Sequence, residues 1–402
     1  MKISVICPVE EILSINKGGA IAAWVIEVYS RLGMELNYSI YCPGADDDGK
    51  GLRLGDLFYF NCIDSFVKVI SFALAKITGK NKNSIRSKFF GYGRLWIKFL
   101  PKEVYKSDII HLHNRPLYAL WLRKFGYRGK IILHMHNDMT DYISSEQFTL
   151  VNKSVDDFWF CSDFLLRRCQ SDFNLLSGSS IYNGVNFSGF SCSNKKDECF
   201  NDCSVRSLVI AGRIVKEKGV LEAIEICDKL NVNNSHRYTL AICGSTGSGG
   251  NNERTEYFDR VVNLAAKINK KHEFPIIEIK GHLNKEYLLN FISTCDLFIY
   301  PCQWDEPFGM VLIESMSVGT PLVASHKGGI PEIISPGVDG ILISDSYNIS
   351  DFVFAIERIL SNSKEYDVIK INALRKIEML FTWEHIAKRM LSLMKVTNSH
   401  LR

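Results

Sequence analysis

Among its twelve cysteines the 402-residue chain has no Cys-x-x-Cys pair, which removes the usual frame of a zinc ribbon or a redox site. Cys7, Cys42, Cys161, Cys243, Cys295 and Cys302 lie in or beside strand-like runs, where a free thiol behaves as a small buried apolar group in a reducing compartment. Cys199 and Cys203 have no His or second Cys pair at ligand spacing nearby, so no metal is expected there. Nor is there an apolar run of the roughly 20 residues that a membrane span requires. The most apolar stretch, FVKVISFALAKI at 66–77, is broken by Lys68. The opening MKISVICPVEEILSINKGGA puts acids where a signal-peptide core would stand, and reads as a first strand.

Two nucleotide-binding signatures are also missing. The first strand is not followed by Gly-x-Gly-x-x-Gly, and no Lys-Ser or Lys-Thr follows the glycine-rich loop ending at Gly250; a dinucleotide fingerprint and an ATP-type phosphate loop are thereby excluded. Asp46-Asp47-Asp48 formally contains Asp-x-Asp, but Gly-Lys-Gly follows it, the composition of a solvated turn rather than of a cation site. The net charge is only +4, and no nucleic-acid partner is expected. The sign is unevenly spread, however: residues 64–130 hold fifteen Lys or Arg against three Asp or Glu. Such an excess suits a lipid surface or a phosphorylated acceptor. Within it, Tyr92, Trp96 and Phe99 mix with Arg94 and Lys98, a pattern that fits either a membrane interface or an amphipathic helix packed on a sheet.

What is present is a long α/β chain, 46% hydrophobic and 23% charged, whose length favours two domains. ISVICP, the Gly18-Gly19 loop and AAWVIEVYSRLG form a first strand–loop–helix unit. Two strands, SDIIHLHN and GKIILHMHND, carry His111, His113, His134 and His136, and period-two alternation puts each pair on one face. His136, last on its strand, is placed to reach a ligand crevice. Zinc binding by the four histidines would need a further well-placed ligand, and a neutral His donating to a hydroxyl is the simpler role. After the polar segment 191–206, SLVIAGRIVKEKGVLEAIEICDKL restarts the pattern. Arg213 and Lys218, five residues apart where a helix opens, would clamp a diphosphate. His282 stands at the end of another strand, within reach of a base or ribose.

The densest stretch is PCQWDEPFGMVLIESMSVGTPLVASHKGGIPEII at 301–334. DLFIYP before it reads as a buried strand, with Glu306 in the loop at its C-terminal end. Met310, Val311, Ile313 and Met316 follow a helical period, predicting a helix from near Pro307 with Glu314 about two turns in. An acid at a strand end beside the free N–H groups of a new helix is where open α/β sheets bind phosphorylated ligands.

Gly-Arg-x4-Lys-Gly, Glu-x7-Glu around Pro-Phe-Gly, Asn183-Gly184-Val185 and Gly-Gly-Ile-Pro-Glu together resemble the retaining glycosyltransferases of family 4. The resemblance implies a GT-B fold: two Rossmann-like domains with parallel sheets facing a central cleft. The domains would be an acceptor-binding 1–190, a linker 191–206, a nucleotide-sugar-binding 207–378, and a helix at 379–402 crossing the junction. It implies Arg213 and Lys218 on the donor's diphosphate, Glu314 on the ribose, and Glu306 near the reacting sugar carbon. Backbone N–H groups of Phe308, Gly309, Met310 and Val311 would face sugar or phosphate. Gly18 and Gly19 would border the phosphate, and His136 would bond a sugar hydroxyl. Members of the family need no metal and no cofactor beyond the donor. LHMHND and the glycine-rich insertion before ERTEYFDRVVNLA are similar, more narrowly, to bacterial lipopolysaccharide core N-acetylglucosaminyltransferases. That implies a UDP-sugar donor, GlcNAc or Glc, a lipid-linked glycan acceptor, and a cytoplasmic enzyme peripheral to the inner membrane face. Capsule, exopolysaccharide or O-antigen assembly, a sugar-nucleotide epimerase of the same architecture and a non-catalytic sensor are the competing readings.

Overall fold

The computed structural model describes residues 1–14, 19–32, 35–45, 92–187, 205–232, 237–247 and 254–399. Gly18, the Asp46–Asp48 turn, the apolar stretch 66–77, Cys199, Cys203 and Gly250 lie outside the described residues. The chain divides into two compact units, Met1–Ile181 and Tyr182–Arg402. Of the linker expected over 191–206, 191–204 lie outside the described residues, and Val205 and Arg206 are already strand.

The first unit is built on six strands: β1 (Lys2–Ile6), β2 (Asn37–Tyr41), β3 (Ile109–His113), β4 (Lys130–Met135), β5 (Asp157–Phe160) and β6 (Ser179–Ser180). They pair in parallel in the order β2-β1-β3-β4-β5-β6. Strands such as IIHLH, buried at every position, are near-continuous apolar runs because helices cover both faces of a parallel sheet. Helix α1 (Ala20–Arg31) buries Trp24 and Tyr29 against this sheet. Helix α2 (Tyr92–Lys98) turns Trp96 inward, where the fully buried indole N–H donates to the Cys7 carbonyl at 3.2 Å. Arg94, Lys98 and Phe99 stay exposed, so the helix packs inward through Trp96 and Ile97 and keeps a basic outer edge.

The second unit repeats the plan with β7 (Val205–Ala211), β8 (Arg237–Cys243), β9 (Ile277–Gly281), β10 (Leu297–Tyr300), β11 (Leu322–Ser325) and β12 (Ile341–Ile343). Their order is β9-β8-β7-β10-β11-β12, all parallel. The order reverses between β7 and β10, and ligands of open α/β sheets bind outside the strand ends at such a point. Three helices serve this edge: α3 (Val220–Leu230), α4 (Lys285–Thr294) and α5 (Met310–Ser317). A last helix, α6 (Trp383–Ser399), begins with Trp383 fully buried. Just before it the backbone pairs with the Asn183-Gly184-Val185 turn, Val185 N–H donating to Phe381 O at 2.8 Å.

The loops that leave β7 and β10 are locked together by backbone. Gly219, N-cap of α3, has φ +72°, and a Cβ there would lie 1.8 Å from the Pro301 carbonyl oxygen. Only glycine meets both conditions, since a left-handed φ is costly for other residues and the carbonyl has nowhere to go. Gly219→Ala is therefore expected to cost at least about 3 kcal/mol of unfolding free energy. Urea denaturation measures it, and a loss below about 1 kcal/mol would mean that the two loops move independently.

Candidate active site

Glu306 follows β10 by six residues and is almost fully buried, at 8% exposure. Its Oε2 accepts from Lys218 Nζ at 2.5 Å, from the Trp304 indole N–H at 2.9 Å and from the Tyr300 hydroxyl at 3.0 Å. Lys218 also donates to the Tyr300 hydroxyl at 2.8 Å and lies 5.6 Å from the ring centroids of both Tyr300 and Trp304. A cation from the β7 loop and an anion from the β10 loop thus meet inside an aromatic box at the reversal point. Burial pushes the Glu306 carboxyl up, but the Lys218 ammonium and the three donors outweigh it and hold the group below its ordinary range. The same burial pushes the neighbouring Cys302 thiol up to about 12. No bond among the described residues engages Glu306 Oε1, so one oxygen is locked and the other is on offer.

The Gly-Gly-Ile-Pro-Glu turn holds this loop from the far side. Gly328, at φ +56°, lets its backbone pass where a Cβ would sit 2.5 Å from Glu306 N, and Gly329 N–H donates to Glu306 O at 2.7 Å. The motif is a clamp on the acid's backbone. Sequence reasoning missed Tyr300 and Trp304, although both flank the acid in YPCQWDE; aromatic N–H and O–H groups beside a lone buried acid were the available signal.

The helix after this loop starts later than its periodicity suggested. Gly309 is the N-cap with φ +107°, Met310 is the first helical residue, and Phe308 is buried with its ring centroid 6.0 Å from that of Phe381. Pro307-Phe308-Gly309 forms an irregular approach, so Glu314 lies just over one turn in, not two. Met310 and Val311 carry N–H groups of the first turn, which have no partner inside their helix. Among the described residues the Glu314 carboxylate, 8% exposed, has only Lys285, the first residue of α4, at 3.5 Å. Burial raises its pKa, and Lys285 opposes that only in part. Nothing in the sequence pointed to Lys285, because its contact is purely tertiary.

The remaining expected residues are less gathered. Arg213 is exposed and makes no ion pair among the described residues, so the two expected cations differ: Lys218 is already paired, and Arg213 is available. His282 is exposed one residue past β9. Gly19 is the N-cap of α1, but its N–H is taken by Glu11 Oε1 at 2.8 Å. In the first unit His136, just beyond β4, is 5% exposed; its backbone N–H donates to Asn114 Oδ1 at 2.6 Å and its Nε2 meets His113 Nδ1 at 3.0 Å.

This geometry can be set beside known proteins. The family described as "Glycosyl transferases group 1" matches residues 196–376, the span that holds Arg213, Lys218, Glu306 and Glu314. The chain carries a group 1 glycosyltransferase domain over that span and is a glycosyltransferase. It is 26% identical over 308 residues to spore coat protein SA of Bacillus subtilis, covering 72% of this chain and 79% of that protein. It is 24% identical over 294 residues to the lipopolysaccharide 1,2-N-acetylglucosaminetransferase of Salmonella typhimurium, covering 72% and 73%. Among solved structures, Anabaena HepE crystallised with UDP-glucose superposes with a TM-score of 0.69 over 98% of this glycosyltransferase and 100% of HepE, at 16% identity. The two six-stranded parallel sheets thus have the GT-B fold. No helix among the described residues is long and apolar enough to cross a membrane.

Two stability measurements follow from the opposite shifts of the acids. Glu306 has a lowered folded pKa, so its contribution is fully present above its unfolded value near 4.5 and is lost as pH falls through the folded value. The deficit of Glu306→Gln, about 1–3 kcal/mol, should be largest above pH 4.5 and shrink below it. Glu314 is the reverse: its raised pKa makes the buried carboxylate a burden at neutral pH. Glu314→Gln should unfold at a higher temperature than wild type at pH 7, and a lower one would mean that Lys285 outweighs the burial.

Proposed function

We propose that this glycosyltransferase moves a hexose or N-acetylhexosamine, Glc or GlcNAc, from a UDP-sugar to a lipid-linked glycan such as a lipopolysaccharide core, with retention of configuration. The observation that carries it is the Lys218–Glu306 pair at the sheet's reversal point, with one carboxylate oxygen bonded by three N–H and O–H donors and the Cys302 thiol, and the other oxygen unengaged among the described residues. Support for the donor comes from HepE, crystallised with UDP-glucose, and for the acceptor from the name of the Salmonella relative. Lys218 and the exposed Arg213 take the diphosphate and offset the charge that builds on the departing UDP, the electrostatic contribution that usually dominates such chemistry. The N–H groups at the start of α5, from Phe308 to Val311, add helix-end dipoles. Glu314, steadied by Lys285, accepts from the ribose hydroxyls, and His136 donates to a hydroxyl of the sugar. His282 lies on the nucleoside side, and Gly19 borders the phosphate once the Glu11 carboxylate yields its N–H.

Retention has two routes, and the state of Glu306 favours one. Double displacement needs a carboxylate free to attack the anomeric carbon. A carboxylate whose pKa is held down is a weak nucleophile even through its unengaged oxygen. Front-face attack, in which the leaving phosphate takes the acceptor's proton, makes no such demand, and Glu306 Oε1 then binds a sugar hydroxyl. No step requires a metal. The exposed Arg94, Lys98, Lys102 and Lys106 form the edge through which the enzyme meets an anionic membrane surface, where each charge adds about 1 kcal/mol.

Transfer of labelled sugar from UDP-GlcNAc or UDP-Glc to truncated lipopolysaccharide tests the reading. Glu306→Ala should lower kcat by about 10²–10³. Glu314→Ala should act mainly through the donor's KM, because ribose is gripped equally in ground and transition states. Undiminished transfer by Glu306→Ala would sink the assignment, and donor conversion without acceptor would point to an epimerase instead.

A further inference from the structure

The histidine strands of the first unit hold more than one ligand-facing residue needs. In the parallel register His113 lies opposite His134, and period-two alternation brings His111, His113, His134 and His136 to one face. The first three are fully buried. Trp24 of α1 covers the group, its ring centroid 4.8–6.0 Å from all four imidazoles. Trp159 closes another side, 5.1 Å from His111 and 6.1 Å from His134.

The bonding of these rings is asymmetric. His111 Nδ1 meets the Tyr29 hydroxyl at 2.8 Å and His113 Nδ1 meets His136 Nε2 at 3.0 Å. In both, the other nitrogen, Nε2, is buried and has no hydrogen-bond partner. His134 reaches toward the Ile181 backbone without closing a hydrogen bond of ordinary geometry. In His111 and His113 one nitrogen anchored and the opposite one bare is the arrangement of metal-ligating histidines, whose second N–H is held by an outer partner that sets tautomer and orientation, and both nitrogens of His134 are bare. Candidate ligand atoms of His111, His113 and His134 all lie within 4.8 Å of one another. Bonds of about 2.0–2.1 Å in tetrahedral geometry put ligand nitrogens about 3.3 Å apart, a closure within reach of side-chain torsions.

We infer that His111, His113 and His134 form a buried three-histidine site, with the fourth position open, for a first-row transition ion of the zinc, copper or nickel class. The ligands are neutral imidazoles, and the cluster contains no carboxylate among the described residues, which excludes Mg²⁺ and Ca²⁺ as occupants. Burial, aided by the neighbouring rings, keeps them neutral with a lone pair to give: His111 is pulled down to about 3, and His113 and His134 well below their ordinary value. Zinc bonded to Nε2 of His113 puts that ring's proton on Nδ1, donated to His136 Nε2, and so sets the tautomer of His136 as well. The ion joins β3 and β4 beneath α1 and bears on sugar transfer only through the tautomer of His136; the diphosphate's cations belong to the second unit.

The test uses the full chain without a histidine tag. Mass-spectrometric metal analysis should find about one equivalent of zinc, copper or nickel. Stripping with a chelator should lower the melting temperature, and zinc alone should restore it. His111→Gln and His134→Asn should each lose the ion and the zinc response while keeping wild-type circular dichroism, and the exposed His385→Gln should keep both. Wild-type protein that takes up no ion from excess zinc, copper or nickel and melts identically with and without them would overturn the site. So would zinc retained undiminished in His134→Asn.

Discussion

The Lys218–Glu306 ion pair is the contact around which the second unit's candidate site is built. Buried pairs of this kind add little net stability, because desolvation of both charges offsets their attraction, while removal of one partner strands the other. Its consequence here is positional. The cation belongs to the loop after β7 and the anion to the loop after β10, so the pair fastens the two sides of the sheet's reversal point. Backbone contacts reinforce it: Gly219 passes against the Pro301 carbonyl, and Gly328-Gly329 presses on Glu306 itself. A site assembled this way is in place before any ligand arrives, and ordering it adds little to the cost of binding.

The two acids that share the Glu-x7-Glu motif have opposite physical states. Glu306 is overdetermined by donors and charged, whereas Glu314 has one lysine at 3.5 Å and is strained by burial. Glu314 keeps unmet hydrogen-bonding capacity, and Glu306 is a fixed fitting. Acid and base work shared between two carboxylates would need them poised near neutrality, which neither arrangement provides for Glu306.

Much of this was legible in the sequence, and the parts that were not share a cause. Alternation along IIHLH and KIILHM put the histidines on one face, and apolar runs ending at Ala211 and Tyr300 located the strand ends that carry Lys218 and Glu306, because period and burial are local properties. The start of α5 was misplaced by three residues: Gly309 in the left-handed region delays the helix, and a backbone angle leaves no mark on apolar spacing. Lys285 against Glu314, Trp24 over four imidazoles and Glu11 on the Gly19 N–H join residues far apart or on different elements. Such contacts exist only after the elements pack.

The central claim, that Lys218 and Glu306 act as one unit on the donor, is tested most directly by a double-mutant cycle on kcat/KM with Lys218→Met and Glu306→Gln. Residues that work as a unit lose their joint contribution once. The account predicts that the double variant is no slower than the slower single variant. Losses that multiply, each variant reducing kcat/KM by its own factor in either background, would contradict it.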